Sequence, residues 1–219
     1  MKFFNLPAVI KALAFDMDLT LYTNHDYAKY QIDILVQKLG EMQGLSFDDM
    51  KREVEESRVR LSKNRKALSF SKILNSYGIN TEKIASWRNE LLEPERFIQK
   101  DFRLKETLNK LSETYFLGLV TNNPVLVALK TLKALGVEEY FPIIVGLDTC
   151  LTSKPHKKPY KKFLELSSCA VETCVSIGDR YDVDLDIPIK MGMGGILVDD
   201  VEDVYKLPGI LITGGNNGI

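Results

Sequence analysis

Two aspartates, Asp16 and Asp18, stand one residue apart at the end of a short apolar run. An apolar run of this length, bounded by polar residues, is typical of a buried strand in a parallel sheet. Residues i and i+2 of a strand point to the same side, so two ionised carboxylates would repel each other there. Either the chain turns at this point or a cation holds the pair. A loop in which an aspartate caps the next helix is the plainer interpretation, and partner residues further along the chain must decide.

Small polar or charged residues also follow the other predicted strands. In chain order they are Thr121, Asn122, Lys154, Asp179 and Asp184. The carboxyl ends of parallel strands meet at one edge of a sheet, so these side chains can converge with the first two aspartates. Carboxylate oxygens suit a hard cation such as Mg²⁺, while a hydroxyl, an amide and an ammonium group donate hydrogen bonds to an anion. The combination indicates phosphoryl-transfer chemistry.

Strand and helix patterns alternate along most of the chain. Short apolar runs predict strands near residues 12–15, 115–120, 141–145, 174–177 and 194–198. Amphipathic or capped patterns predict helices near residues 103–111 and 125–135, and a loop with a helix over residues 153–168. Strands that alternate with helices predict an α/β fold, in which a doubly wound parallel sheet carries helices on both faces.

The stretch between the first two strands has a different pattern. From about residue 25 to residue 92 it contains helix-period patterns and almost no strand signals. Ser46 is a candidate helix cap within it, with an acidic residue three positions later. We therefore predict an α/β core of residues 1–21 and 99–219, and an inserted helical domain of residues 22–98. An insert of roughly 70 residues is within the usual size of a small domain.

Composition narrows the class of protein. The 219 residues carry a net charge of −1 and are 45% hydrophobic, which gives no reason to expect a nucleic-acid or membrane-surface partner. The three cysteines form no metal-like pair and favour free thiols in a reducing compartment. The N-terminus has no signal-peptide pattern, and no apolar run reaches membrane-spanning length. We expect a cytoplasmic protein with a loose tail at residues 212–218, and the sequence leaves its oligomeric state open.

The motifs together resemble those of the haloacid dehalogenase superfamily, and within it the Mg²⁺-dependent phosphatases. The four motifs of that family stand here as residues 16–20, Thr121-Asn122, Lys154-Pro155, and Gly178-Asp179 with Asp184. They run in the family's order over residues 12–200, so the resemblance covers nearly the whole chain. It implies a Rossmann-type α/β core. The helical insert resembles the family's α-helical cap of the first insertion class, the C1 type.

The resemblance implies catalytic roles for the first pair of aspartates. Asp16 resembles the nucleophile that attacks phosphorus and becomes an aspartyl phosphate, which divides hydrolysis into two easier steps. Asp18 resembles the general acid that protonates the leaving oxygen and then, as a base, activates water. Dehalogenases of this superfamily lack an acid at the second position. The presence of Asp18 therefore favours phosphate-ester hydrolysis.

The resemblance also implies a metal site, and Mg²⁺ is the expected cofactor. Asp16, the backbone carbonyl of Asp18 and the side chain of Asp179 would ligate the ion. Asp184 would support them through a bound water or a hydrogen bond to a ligand. Asp182 competes with Asp184 for this role, and the spacing of the family motif favours Asp184.

A third group of residues would bind the phosphate. The resemblance assigns phosphate oxygens to the Thr121 hydroxyl and the Asn122 backbone amide. Lys154 would neutralise charge on both the phosphate and Asp16. Lys158 is the alternative to Lys154, because a proline follows each of them and more lysines lie nearby. A lysine cluster is usually a solvated helix face.

The expected function is hydrolysis of a small phosphorylated metabolite, because a cap that closes over the site would exclude large substrates. The sequence does not identify the metabolite. Basic residues of the insert that could contact it are Arg58, Arg60, Arg65 and Lys66, although a solvated helix face explains each of them as well. Two other functions stay open: a phosphomutase similar to β-phosphoglucomutase, and a phosphometabolite-binding protein without turnover.

Overall fold

A six-stranded sheet forms the centre of the structure, a computed structural model that describes residues 1–62 and 68–212. The strands are β1 (Lys2–Phe4), β2 (Ala12–Phe15), β3 (Phe116–Val120), β4 (Ile143–Val145), β5 (Cys174–Gly178) and β6 (Gly194–Leu197). They lie in the order β1, β6, β5, β2, β3, β4, and neighbours are parallel except for the antiparallel pair of β1 and β6. The predicted α/β fold with a mainly parallel sheet is confirmed.

Helices cover both faces of this sheet. In chain order the helices are α1 (His25–Gln43), α2 (Phe47–Leu61), α3 (Phe70–Ser76), α4 (Thr81–Leu91), α5 (Phe102–Ser112), α6 (Val125–Leu135), α7 (Leu147–Cys150), α8 (Lys157–Ser167), α9 (Asp186–Met191), α10 (Val201–Val204) and α11 (Leu207–Leu211). Alternate residues of a strand face opposite sides. Leu13 and Phe15 of β2 therefore pack in a cluster with α5 and α6, whereas Ala12 and Ala14 pack in a cluster with α8. The sheet is doubly wound, as predicted.

The strand order gives the end of β2 a special position. From β2 the chain continues to β3 and β4 on one side, and then crosses to β5 and β6 on the other side. Where the order of strands reverses in this way, a crevice opens beyond their carboxyl ends, and ligands of open α/β sheets bind there. Asp16 is the first residue after β2 and so lies at this switch point.

The sequence patterns do not predict the edge strand β1. Its three residues pair antiparallel with β6, for example Phe3 with Ile196. Phe3 is 44% exposed, so the strand has neither a buried run nor an alternation that could identify it. Its conformation depends on backbone pairing with a strand near the other end of the chain, and local patterns carry no information about such a partner.

Helices α1–α4 pack around a second apolar cluster, which Leu147 of α7 joins. Its buried side chains include Leu35, Val36 and Leu39 of α1, Met50 and Val54 of α2, Ile73 and Leu74 of α3, and Ile84 and Trp87 of α4. Ser46 caps α2 as predicted, because its Oγ accepts a hydrogen bond of 3.2 Å from the backbone N–H of Asp49. The boundaries of the helical insert at residues 22 and 98 stay a prediction.

Three further expectations concern the chain as a whole. Cys150, Cys169 and Cys174 are free thiols, as expected. Among the helices of the described ranges, none has both the length and the apolar character needed to cross a bilayer. The tail that we expect to be loose lies outside the described residues from position 213 onward.

Candidate active site

A buried lysine lies among the polar groups beyond the strand ends. Lys154 Nζ is 2.5 Å from Asp16 Oδ1 and 2.7 Å from Asp184 Oδ1, and the Lys154 side chain is only 2% exposed. Burial opposes its charge, but the two carboxylates outweigh burial and raise the pKa of Lys154, so the amine stays protonated. Lys158 is exposed on α8. Of the two lysines considered, Lys154 is therefore the one that reaches the carboxylates.

The side chain of Asn122 holds the backbone of Lys154 in place. Asn122 Oδ1 accepts a hydrogen bond of 2.6 Å from the Lys154 N–H, and Asn122 Nδ2 donates one of 3.2 Å to the Lys154 carbonyl. The peptide bond between Lys154 and Pro155 is cis. Thr121 is buried beside them, and its Oγ1 accepts a hydrogen bond of 3.1 Å from the Asn123 N–H. The three predicted phosphate-binding residues thus lie together, while their contacts with a phosphate stay a prediction.

Three carboxylates form a cluster at the same edge of the sheet. Oxygen atoms of Asp16, Asp179 and Asp184 lie within 4.8 Å of one another. Burial raises the pKa of Asp16 to about 7, with Lys154 opposing the shift and the neighbouring carboxylates adding to it. Burial raises the pKa of Asp179 to about 6, and the neighbouring carboxylate of Asp184 adds to the shift. The cluster therefore holds more negative charge than one lysine offsets, and a further cation would relieve the repulsion.

The donor set of this cluster fits a hard divalent cation. Among the described residues, none donates a hydrogen bond to the buried Asp179 Oδ1 or to Asp184 Oδ1, although the latter contacts Lys154. Oxygen ligands suit hard cations such as Mg²⁺, whereas Zn²⁺ sites commonly use cysteine and histidine. The residues present therefore fit the cofactor that the motifs imply.

The carboxylate of Asp18 has a separate set of contacts. It accepts hydrogen bonds from the Tyr22 hydroxyl, from Gln31 Nε2 at 2.6 Å and from Asn123 Nδ2 at 2.9 Å. β2 ends before the two aspartates, and Leu19 has a φ of 61°, so the chain turns here and does not continue as a strand. Of the two explanations for the closely spaced aspartates, a turn is the one present. Metal ligation by the Asp18 carbonyl stays a prediction.

A wide turn buries Asp184 and leaves Asp182 exposed. The segment Tyr181–Leu185 forms a π-helical turn after β5, in which Asp184 is 1% exposed. The Asp184 carbonyl accepts hydrogen bonds from Ser176 Oγ at 2.8 Å and from the Tyr160 hydroxyl at 2.9 Å. These contacts from β5 and α8 fix the backbone of the turn. Between the two candidates, Asp184 is the one beside the lysine.

Gly178 leaves room for the Asp184 side chain. A Cβ at position 178 would lie 2.5 Å from Asp184 Cβ and 2.8 Å from its Cγ. We therefore expect Gly178→Ala to displace the carboxylate from Lys154 and to lower the free energy of unfolding by roughly 1–3 kcal/mol, as measured by urea unfolding. Gly209→Ala is the control, because its Cβ would meet no atom within 4 Å. Equal stability of the two variants would contradict the expected clash.

A cavity of about 200 Å³ lies between the sheet edge and the helical insert. Its lining includes Asp18, Asn122 and Asp179 beyond the strands, and Gln31, Ser69 and Arg88 from the insert. Two of the basic residues considered from the sequence lie elsewhere. Arg58 and Arg60 are exposed on α2 and take no part in this lining. Arg65 and Lys66 lie outside the described residues.

Two buried residues that the sequence patterns do not single out reach this cavity. Gln31 is 5% exposed and Arg88 is 7% exposed. Gln31 donates to Asp18, as above, and Arg88 Nη1 donates a hydrogen bond of 2.7 Å to Asn123 Oδ1. A signal for both exists in the sequence, because each is a polar residue on the apolar face of its helix. Position 31 lies four residues before Leu35 in α1, and position 88 lies four residues after Ile84 in α4.

Proteins of similar sequence include two that are named as phosphatases. A phosphoglycolate phosphatase of Pectobacterium atrosepticum is 25% identical over 126 residues, which are 49% of this chain and 54% of the relative. A pyrophosphatase PpaX of Halalkalibacterium halodurans is 34% identical over 76 residues, which are 34% of this chain and 35% of the relative. The chain thus spans about half or less of the length of the curated relatives that it matches.

Solved structures match over nearly the whole chain. A HAD phosphatase from Thermococcus onnurineus has a TM-score of 0.63 and 21% identity, and the match covers 95% of this chain and 100% of that one. The putative HAD-hydrolase YfnB from Bacillus subtilis, bound to magnesium, has a TM-score of 0.57 and 20% identity, with 92% and 100% covered. At these identities the likeness establishes the fold.

The family follows from a match of sequence along most of the chain. A family model described as haloacid dehalogenase-like hydrolase matches residues 13–198. That range contains the residues that meet at the sheet edge, from Asp16 to Asp184. The chain therefore belongs to the haloacid dehalogenase-like hydrolase family, as its motifs predict.

Proposed function

We propose that the protein is a Mg²⁺-dependent phosphatase that hydrolyses small phosphorylated metabolites through an aspartyl phosphate. The observation that carries the proposal is the buried contact of Lys154 with Asp16 and Asp184, beside Asp179, at the switch point of the sheet. A lysine among carboxylates in excess suits the joint binding of a phosphate and a second cation. The names of the relatives, phosphoglycolate phosphatase and pyrophosphatase PpaX, support a phosphorylated substrate.

In the first half of the reaction, a carboxylate oxygen of Asp16 attacks phosphorus. A bond forms between that oxygen and phosphorus, while the bond from phosphorus to the leaving oxygen breaks. The leaving oxygen takes a proton from the carboxyl group of Asp18. Lys154 favours the ionised form of Asp16 and offsets negative charge on the phosphoryl group. The Thr121 hydroxyl and the Asn122 backbone N–H would donate to phosphate oxygens.

In the second half of the reaction, water replaces the leaving group. Asp18, now ionised, accepts a proton from water as the water oxygen bonds to phosphorus and the bond to Asp16 breaks. The products are inorganic phosphate and the free Asp16 carboxylate. In the structure the Asp18 carboxylate accepts hydrogen bonds from Tyr22, Gln31 and Asn123. The acid role requires that some of these hydrogen bonds are released when substrate enters.

The residues proposed to hold Mg²⁺ are Asp16, Asp179 and the backbone carbonyl of Asp18, with Asp184 in support. When bound, the ion neutralises negative charge on the phosphoryl group. Support comes from the all-oxygen donor set and from the raised pKa of Asp16 and Asp179. The similar YfnB structure is bound to magnesium. We further propose that α1–α4 act as the cap and that the enzyme is cytoplasmic.

Phosphate release in Mg²⁺, and its loss on chelation, tests this function. With p-nitrophenyl phosphate as substrate, we expect EDTA to lower the rate by at least about 10²-fold, because charge on the phosphoryl group is no longer neutralised. EDTA already saturated with Mg²⁺ is the control and should leave the rate unchanged. A rate that EDTA does not affect would contradict the metal site.

The same assay separates the phosphatase from the two other functions. Hydrolysis of an aryl phosphate without added sugar bisphosphate would favour the phosphatase over a phosphomutase. No phosphate release from any member of a panel of phosphorylated metabolites would contradict the proposal and favour a binding protein.

A further inference from the structure

Arg88 is a buried cation for which the proposed reaction has no use. It lies on α4, is 7% exposed and lines the cavity between the insert and the sheet edge. Within residues 1–62 and 68–212 its guanidinium makes one hydrogen bond, from Nη1 to Asn123 Oδ1, and its buried Nε makes none. In that part of the chain no carboxylate forms an ion pair with it.

A buried guanidinium without an anionic partner is energetically unfavourable. Burial lowers the pKa of Arg88, and the charge of Asp18, which Asn123 separates from the guanidinium, only partly opposes this shift. Buried arginines are normally paired with an anion, because the cost of removing their charge from water is large. The amide oxygen of Asn123 satisfies one donor and supplies no charge. An anion at the cavity end of Arg88 would satisfy the remaining donors.

The second arginine that lines the cavity is in a different situation. Arg180 Nε lies 3.8 Å from Asp179 Oδ1, and the Arg180 side chain is 54% exposed. Its charge is therefore already offset by the carboxylate cluster and by water. Among the cavity residues that the structure describes, Arg88, on the insert side, is the cation that lacks an anion.

We propose that Arg88 forms an anion subsite that binds a second negatively charged oxygen group of the substrate. The inference rests on the proposed phosphatase function and names its substrate class: small phosphate esters or anhydrides that carry a further oxyanion. The scissile phosphate lies beside the carboxylate cluster, and the second oxyanion lies beside Arg88, which lines the same cavity as Asn122 and Asp179. A planar guanidinium binds carboxylate or phosphate oxygens through two parallel hydrogen bonds.

The size of the cavity agrees with a substrate of few atoms. Its volume of about 200 Å³ is below the roughly 300–1,000 Å³ of pockets that hold drug-sized ligands. Such a space holds a phosphate joined to a second anion by a short linker. Ser69 and Ser71 also line the cavity, and the Ser69 hydroxyl shares a hydrogen bond of 2.7 Å with Ser153 Oγ.

Substrates matched in size but not in charge test the subsite. Phosphoglycolate carries a carboxylate where hydroxyethyl phosphate carries a neutral hydroxymethyl group. We expect the wild-type kcat/KM to favour phosphoglycolate by about 10–100-fold, the effect of one charge-assisted hydrogen bond to a desolvated group. Arg88→Gln should abolish this preference through a raised KM for phosphoglycolate, and Arg88→Lys should retain part of it. Pyrophosphate shows which kind of oxyanion the subsite binds. A higher kcat/KM for pyrophosphate than for phosphoglycolate would identify the second oxyanion as a phosphate and not a carboxylate.

A control variant and a pattern of losses separate recognition from positioning. Arg96→Gln removes the same charge from an exposed arginine that pairs with Glu93 outside the cavity, and it should keep the wild-type preference. If Arg88→Gln lowered kcat/KM equally for both substrates, the subsite would be refuted. Arg88 would then act on Asp18 through Asn123, and not on the substrate.

Binding without turnover separates this inference from the proposed function. In calorimetry with Mg²⁺, we expect Arg88→Gln to weaken phosphonoacetate binding by at least about 10-fold and to leave ethylphosphonate binding unchanged. Equal affinities of wild type and variant for phosphonoacetate would overturn the subsite. Discrimination between the two phosphonates without any phosphate release would retain the subsite and refute hydrolysis. Phosphate release without discrimination between the two phosphonates would retain hydrolysis and refute the subsite.

Discussion

Asp16→Asn is expected to lower the rate of phosphate release by at least about 10³-fold, because an amide cannot supply the oxygen nucleophile that forms the acyl phosphate. The variant should remain folded, since Lys154 keeps its contact with Asp184. The measurement is a phosphate-release assay in Mg²⁺, together with urea unfolding of the same samples. A stable fold without turnover would assign the loss to chemistry.

Asp182→Asn is the matched control for this substitution. It makes the same change of charge at an exposed position, two residues from Asp184 in the same turn. We expect wild-type turnover from it. When the wild-type reaction is quenched in acid, mass spectrometry should find phosphate on the peptide that contains Asp16. Normal turnover by Asp16→Asn, or phosphate on another residue, would refute the covalent scheme.

The pH dependence of stability should also differ between wild type and Asp16→Asn. Burial raises the pKa of Asp16 from 3.8 to about 7, so the folded state holds this proton more tightly than the unfolded state. Asp16 therefore stabilises the folded state fully below about pH 3.8, and this contribution is lost as the pH rises through about 7. Without added cation, the free energy of unfolding should fall more for wild type than for Asp16→Asn between about pH 4 and about pH 8.

The ends of the strands are predictable from sequence because polarity changes abruptly there. The apolar run of β2 gives way to Asp16, that of β3 to Thr121, and that of β5 to Asp179. Parallel topology then brings these residues to one edge whatever the details of packing. For this reason the sheet and the convergence of the site residues follow from patterns that are local in the chain.

Other features depend on contacts that local patterns do not contain. Lys154 and Lys158 both precede a proline, and what distinguishes them is the hydrogen bonding of Asn122, 32 positions earlier, to the backbone of Lys154. Gln31 and Arg88 are visible in the sequence as polar residues on apolar helix faces. Their significance depends on where the insert packs against the sheet edge, and no periodicity contains that information.

Lys154→Met is expected to lower the free energy of unfolding by about 3–5 kcal/mol near neutral pH and to abolish turnover. It removes the cation that contacts Asp16 and Asp184, and leaves their buried carboxylates without that partner. Burial raises the pKa of Asp16 to about 7, and protonation of Asp16 relieves part of this repulsion, so the loss of stability should be smaller at about pH 5 than at about pH 8. Urea unfolding at both pH values measures the difference. Lys158→Met, at an exposed lysine that also precedes a proline, is the control and should have little effect.

A double variant tests whether charge balance is the cause of that loss. Adding Asp184→Asn to Lys154→Met removes one of the two uncompensated carboxylates. Burial raises the pKa of Asp16 to about 7 even with Lys154 opposing the shift, so the loss of Lys154 favours the neutral form of Asp16. The double variant should therefore be more stable than Lys154→Met alone, by roughly 0.5–3 kcal/mol of coupling between groups in contact. If Lys154→Met were equally destabilised at both pH values and the second substitution restored nothing, lost packing and not lost charge would be the cause. The excess negative charge on which the proposed cation and phosphate sites depend would then be absent.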